Sequence, residues 1–170
     1  MKYSDIYRLY STSQPKDAIH QALREVPVDD SDEQYEDRSP LHLACQYGDT
    51  EGVKILLERD AEPNTKDANG STPIHILGRT SAGCADEDKL KEIAVMLIEQ
   101  GANIPRSAKN TTALIECIRN RHFKMAEAII DSGARVNSTD LNGENVLFGF
   151  CAASGDIRRD IRFAKKELDE

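Results

Sequence analysis

Tryptophan is absent from this chain of 170 residues, and aromatic residues of every kind make up only 5% of it. A core assembled from large rings is excluded, so the interior must be filled by Leu, Ile, Val and Ala, which suit helices stacked closely side by side. Cysteine is also scarce: four residues are too few to staple a chain of this length, and no disulfide is expected. Long apolar runs are missing: the runs present are only a few residues, such as Val95–Ile98, far below the roughly 20 residues that cross a bilayer. Met1–Asp5 leads into a mixed polar and aromatic stretch without an apolar secretory core, so a cytoplasmic protein is expected. Basic charge is in deficit, 22 Lys and Arg against 30 Asp and Glu, for a net charge of −8. That sign opposes binding to a phosphate backbone, and neither nucleic acid nor membrane is expected as a partner.

What the chain does have is a period. Ser39-Pro40-Leu41-His42-Leu43-Ala44 recurs as Thr72-Pro73-Ile74-His75-Ile76-Leu77, then as Thr112-Ala113-Leu114-Ile115-Glu116-Cys117, and more faintly as Asn145–Phe150. The first two copies stand 33 residues apart, the next two 40, and the last two 33. A second marker, Asp60-Ala61, Gly101-Ala102 and Gly133-Ala134, runs out of phase with the first. Comparing the two sets locates an insertion of eight residues in the second unit, around Thr80–Lys89. Repeats of this length point to a solenoid of stacked supersecondary units.

Each unit reads as a pair of helices. Pro40 and Pro73 fit a helix first turn, behind Ser39 and Thr72 as N-caps. Gly48 fits a left-handed stop after the first helix. Val53, Leu56 and Leu57 then define an apolar face, as do Ile93, Met96 and Leu97 in a helix over Lys89–Gln100, and Ala126, Ile129 and Ile130 in the third unit. Asp67-Ala68-Asn69-Gly70 and Asp140-Leu141-Asn142-Gly143 predict hairpin fingers closed by primed turns, in which Asn and Gly both take positive φ.

These units resemble the ankyrin repeat, whose pattern runs Gly-x-Thr-Pro-Leu-His-x-Ala, Gly, an apolar helix, and Gly-Ala-x-x-Asn. The resemblance covers about residues 34–170 and implies an all-α solenoid of helix–turn–helix units joined by short β-hairpin turns. It divides the chain into repeats over 34–66, 67–106 and 107–139 and a C-terminal capping repeat over 140–170. Residues 1–33 match poorly. Helices over about 4–11 and 15–26 there are read as a worn capping repeat, with a separately docking helical arm as the alternative. Tyr3, Tyr7 and Tyr10 share one helix face, which either packs on the first full repeat or forms an interaction patch. The third unit is degenerate: Arg121 replaces the glycine stop, so this unit is expected to turn differently or to carry strain.

Candidate chemistry is thin. His42 and His75 lie one period apart, and packed units sit too far apart for the pair to share a metal readily. The resemblance gives such a histidine the task of bonding neighbouring backbone and tying unit to unit. Cys45, Cys117 and Cys151 read as small buried fillers. Cys84, in the insertion, is the one plausible reactive thiol, without a neighbouring base. Asp86, Glu87 and Asp88 lack the pattern of a calcium loop and read as a helix start. Asn64 and Asn137 occupy positions that brace the hairpin in the family. No catalytic residue, cofactor or metal is expected.

The resemblance therefore implies a non-catalytic module that binds another protein on its concave surface and finger tips. The positions left free by the repeat pattern are Tyr35, Glu36, Arg38, Leu43, Gln46 and Tyr47; Ala68, Asn69, Ser71, Ile76 and Arg79; Lys109, Thr111, Glu116 and Arg119; and Leu141, Asn142 and Glu144. Tyr35, Arg38 and Tyr47 are the expected anchor. The net charge favours a partner with a basic patch. Two alternatives are a stoichiometric inhibitor masking a signalling protein, as in the inhibitor-of-kappaB group, and an enzyme or metal protein using His42, His75 or Cys84.

Overall fold

The structure, a computed structural model, describes residues 2–12, 14–80, 86–104 and 112–134. Eight α-helices follow one another among them: α1 (Tyr3–Ser11), α2 (Lys16–Glu25), α3 (Pro40–Gln46), α4 (Thr50–Leu57), α5 (Pro73–Gly78), α6 (Glu87–Glu99), α7 (Ala113–Arg119) and α8 (Phe123–Asp131), with a 3-10 turn over Glu33–Tyr35. They form two rows. The first helices pack in the order α1, α3, α5, α7 and the second helices in the order α2, α4, α6, α8, while α1 packs on α2, α3 on α4, α5 on α6 and α7 on α8. This is an all-α solenoid, and α1 and α2 occupy the same two rows as the helices that follow them.

Small aliphatic residues fill the space between the rows. Leu41, Ala44, Leu56, Ile74, Leu77, Ile93, Leu97, Leu114 and Ile129 are fully or almost fully buried and belong to one continuous core. The helix ends explain the out-of-phase glycine marker. At the end of α4 the Asp60 N–H donates to Leu57 O and the Ala61 N–H to Leu56 O; Gly101 and Ala102 repeat the pair after α6, and Gly133 and Ala134 after α8. This is the Schellman arrangement, which needs a left-handed residue at its first position. Asp60 takes it at φ 61°, and Gly101 and Gly133 at 84° and 92°.

The same device ends α3 and α7. Gly48 and Arg121 both adopt positive φ (59° and 65°), and in each case the next residue donates five places back, Asp49 to Ala44 O and His122 to Cys117 O. Contrary to one of the two expectations for it, the third unit keeps the turn of the first and holds a non-glycine residue in the strained conformation.

Two readings are corrected. Among the described residues the finger at Asp67–Ser71 is a bonded turn with no assigned strand, in which the Asp67 N–H donates to Ser71 O at 2.9 Å. Nor is it a primed turn, because Gly70 takes positive φ and Asn69 does not. The Asp67 carboxylate oxygen Oδ1 accepts from both Asn69 N–H and Ser71 N–H, so the side chain closes the loop and only one residue needs the left-handed region. The helix of the second unit, α6, starts at Glu87 and not at Lys89, because Asp86 caps it by accepting from Lys89 N–H at 2.9 Å, and Asp86, Glu87 and Asp88 form the helix start as read from the sequence. The second finger at 140–143, the capping repeat over 140–170, Cys84, Cys151 and Asn137 lie outside the described residues.

Candidate functional site

The face formed by the fingers and the first-helix row is assembled by one contact repeated at the same register. In the first unit the Arg38 guanidinium donates from Nη1 to Gln46 Oε1 at 2.9 Å, joining the finger to the end of α3. One period later the roles are exchanged: Arg79, at the end of α5, donates from Nη1 to Ser71 Oγ of the finger at 3.1 Å. Arg79 also bridges units, its Nε lying 3.1 Å from Glu116 Oε1 on α7. The fingers are joined through backbone as well, the Ala68 N–H donating to Glu36 O at 2.7 Å.

Behind this face the histidines act as struts. His42 Nδ1 accepts from Ser39 N–H at 3.1 Å, which leaves the hydrogen on Nε2, and that group donates to Ser71 O of the next unit at 3.0 Å. Burial lowers its pKa to about 4, partly opposed by the bond to Ser71. His75 Nδ1 stands 2.9 Å from Thr72 Oγ1 in the same relationship. In the third unit Ile115 replaces the histidine, and Thr112 Oγ1 instead accepts directly from Ile115 N–H. His122 Nε2 reaches Thr80 O at 2.6 Å, and His20 pairs with Asp49 at 3.0 Å. Each imidazole thus has a structural partner. Cys45 and Cys117 are fully buried, and burial pushes both thiols far up, so neither is a nucleophile at neutral pH. No cluster of three or more His, Cys, Asp or Glu able to hold a metal occurs among the described residues. Asn64 braces neighbouring units, donating to Gly101 O at 3.0 Å and accepting from Asn103 N–H at 2.7 Å.

The structure sorts the expected binding positions. Glu36 and Ala68 are exposed, and Tyr35, Arg38, Gln46, Asn69, Arg79 and Arg119 are half-buried on this face. Leu43, Ser71, Ile76 and Glu116 are buried and present almost no surface, which corrects the expectation that the pattern left them free. The reasons are visible for three of them. Leu43 joins the core, Ser71 supplies both its carbonyl and its hydroxyl to neighbours, and Glu116 is taken up by Arg79. Tyr47 stacks on Tyr10 of α1 with ring centroids 4.8 Å apart, so the N-terminal helices already use it. Lys109, Thr111, Leu141, Asn142 and Glu144 lie outside the described residues.

The tyrosine face of α1 packs on the first full repeat, one of the two uses expected for it, and forms a cavity there that was not anticipated. Tyr3 and Tyr7 of α1 meet Tyr35 of the finger, with ring centroids 5.7 and 4.2 Å from it. These rings line a cavity of about 200 Å³ together with Glu36, Arg38 and Gln46, and Leu43 is part of its lining. The sequence carried half of the signal, the shared helix face of Tyr3 and Tyr7. It gave no sign that the finger bends back over them.

Comparison with known proteins agrees with the geometry. Residues 22–77 match the family model described as ankyrin repeats (many copies). The ankyrin repeat protein nuc-2 of Neurospora crassa is 29% identical over 124 residues, 72% of this chain and 10% of the relative. Rabankyrin-5 of Mus musculus is 31% identical over 115 residues, 65% of this chain and 9% of the relative. A transient receptor potential cation channel subfamily A member 1 homolog of Caenorhabditis elegans is 38% identical over 69 residues, 41% of this chain and 6% of the relative. The chain thus spans about a tenth or less of the length of these relatives. With the recurring helix pairs, the histidine struts and the glycine-type stops already described, the match identifies ankyrin repeats within the chain, over residues 22–77.

Proposed function

We propose that the chain is a non-catalytic binding module whose finger and first-helix face holds a partner protein carrying basic residues. The observation that carries this reading is the pre-organised face itself. Arg38, Gln46, Ser71 and Arg79 are fixed by the repeated finger-to-helix bonds, and the backbone bond between fingers fixes their spacing. A surface ordered before binding loses little conformational entropy when it is occupied. The basic partner is supported by the net charge of −8 and by Asp29, Asp30, Asp32, Glu33, Glu36 and Asp37, six carboxylates within nine residues of the first finger. The buried, hydrogen-bonded state of His42 and His122 supports assigning the histidines to architecture.

The test is affinity capture of the partner followed by titration of the purified pair. Ala68→Arg and Asn69→Arg, on the finger, are expected to weaken binding more than tenfold. Glu58→Arg and Glu92→Arg, exposed on the second-helix row, are expected to leave it within about twofold. A loss confined to the second-helix variants would overturn the proposal.

A further inference from the structure

We infer that the cavity between α1 and the first finger is a binding site for a basic side chain, a lysine or arginine projecting from the partner polypeptide. This inference rests on the functional reading above and makes it specific. Three observations carry it. The first is the wall: the half-buried Tyr7 and Tyr35, packed on each other with centroids 4.2 Å apart, both line the cavity, and aromatic rings attract cations.

The second is an unmet polar atom. Tyr3, one of the residues that line the cavity, is 1% exposed, and its hydroxyl is buried without a hydrogen-bond partner. A buried hydroxyl of that kind normally finds a partner. Its oxygen is able to accept a hydrogen bond from an ammonium or guanidinium N–H.

The third is charge. Arg38 is the one basic residue in the wall, and it is more than neutralised: its Nη2 lies 2.6 Å from Glu36 Oε2, and its Nε lies 3.6 Å from Oδ2 of the buried Asp67. Two carboxylates for one guanidinium leave a residual negative charge, and Glu36 remains half-exposed towards solvent. Asp32, Glu33 and Asp37 adjoin the site in sequence with no basic residue but Arg38 to offset them. An anionic ligand would have to displace Glu36 from Arg38, whereas a cation adds a partner to a carboxylate already in place.

The experiment is calorimetric titration of the full chain with octalysine at low ionic strength, against octaglutamate and fully N-ε-acetylated octalysine. Octalysine is expected to bind and the two controls are not. Glu36→Gln and Tyr35→Leu are each expected to weaken octalysine at least fivefold. Glu92→Gln removes a carboxylate of equal charge from α6 and is expected to change affinity less than twofold. Circular dichroism checks the fold of each variant; if Tyr35→Leu fails to fold, Glu36→Gln against Glu92→Gln decides the matter. Equal weakening by the two charge variants would reduce the effect to bulk charge and overturn the inference, as would octaglutamate binding or acetylated octalysine binding as well as octalysine. Any of these results, obtained while the finger variants still weaken partner binding more than tenfold, would remove this pocket and leave the proposed module standing.

Discussion

The Tyr10 hydroxyl donates to Asp49 Oδ2 at 2.8 Å across 39 residues, joining the first helix of the chain to the N-terminus of α4. Asp49 is 4% exposed, and His20 of α2 stands 3.0 Å from the same carboxylate. The N-terminal pair of helices is therefore held to the stack by a polar latch in addition to its apolar contacts, and Arg59 adds to it by donating to Leu23 O and Val26 O at the end of α2. Removing the hydroxyl leaves a buried carboxylate short of one donor. Tyr10→Phe is expected to lower the unfolding free energy by about 2 kcal/mol, the range for a hydrogen bond to a charged group, measured by denaturant titration.

Gly52 sits where this latch has no spare room. A Cβ there would lie 2.6 Å from Asp49 Oδ2 and 2.9 Å from the Tyr10 hydroxyl, closer than real contacts allow. The usual gain of about 0.5–1 kcal/mol from alanine in a helix is outweighed by an overpacking cost of about 1–3 kcal/mol. Gly52→Ala is therefore expected to destabilise by about 1 kcal/mol. Because one of the atoms it strikes is the Tyr10 hydroxyl, the double variant Gly52→Ala/Tyr10→Phe should lose less than the sum of the two single changes. Additive losses in a double-mutant cycle would contradict the geometry.

His42 makes stability depend on pH. Its pKa falls from 6.5 to about 4 on folding because burial penalises the charged ring. Between those values the unfolded chain binds a proton that the native chain does not, so stability falls as the pH is lowered from about 6.5 towards 4. Above 6.5 the contribution is complete. The full difference corresponds to about 3 kcal/mol at 1.36 kcal/mol per unit. His42→Asn should be less stable than the parent at pH 7, and should lose distinctly less than the parent on going to pH 4.5. Parallel losses in equilibrium unfolding at the two pH values would show that this ring does not set the dependence.

The repeat period and the helix caps were legible in the sequence, because each is a local pattern with a local physical cause, whereas the bonding task of the histidines came only from the family resemblance, the partner Ser71 lying 29 residues from His42. Pro40 behind Ser39 can begin a helix, and Gly101 before Ala102 can end one, whatever surrounds them. What lay beyond the pattern depended on long-range partners. Nothing near Leu43 in sequence announced that the core would cover it, and Asp49 gave no sign of accepting from Tyr10 and His20 at once. The Asn69-Gly70 turn misled for a related reason: the dipeptide favours one turn, but the Asp67 side chain two residues before it selects another. The first finger shows the converse, with Glu36 and Asp37 both at positive φ (60° and 52°) where no glycine marked the need.

The Schellman turns that end the second helices α4, α6 and α8 offer a comparison inside one chain. Asp60, Gly101 and Gly133 hold equivalent places with the same paired backbone bonds and positive φ, yet only the first carries a side chain. Asp60 is exposed, so its carboxylate gains nothing from burial, while its Cβ meets the crowding that L-residues suffer in this region. A Cβ at Gly101 or Gly133 would touch no heavy atom within 4 Å, so glycine there answers a backbone requirement and not a shortage of space. Asp60→Gly is accordingly expected to stabilise the chain by about 0.5–1 kcal/mol, and Gly101→Ala to destabilise it by a similar amount. For a chain of this size the two changes should shift the melting temperature by roughly 1–4 °C in opposite directions. Shifts of the same sign in thermal unfolding would mean that packing, not the left-handed backbone, decides the residue at this position.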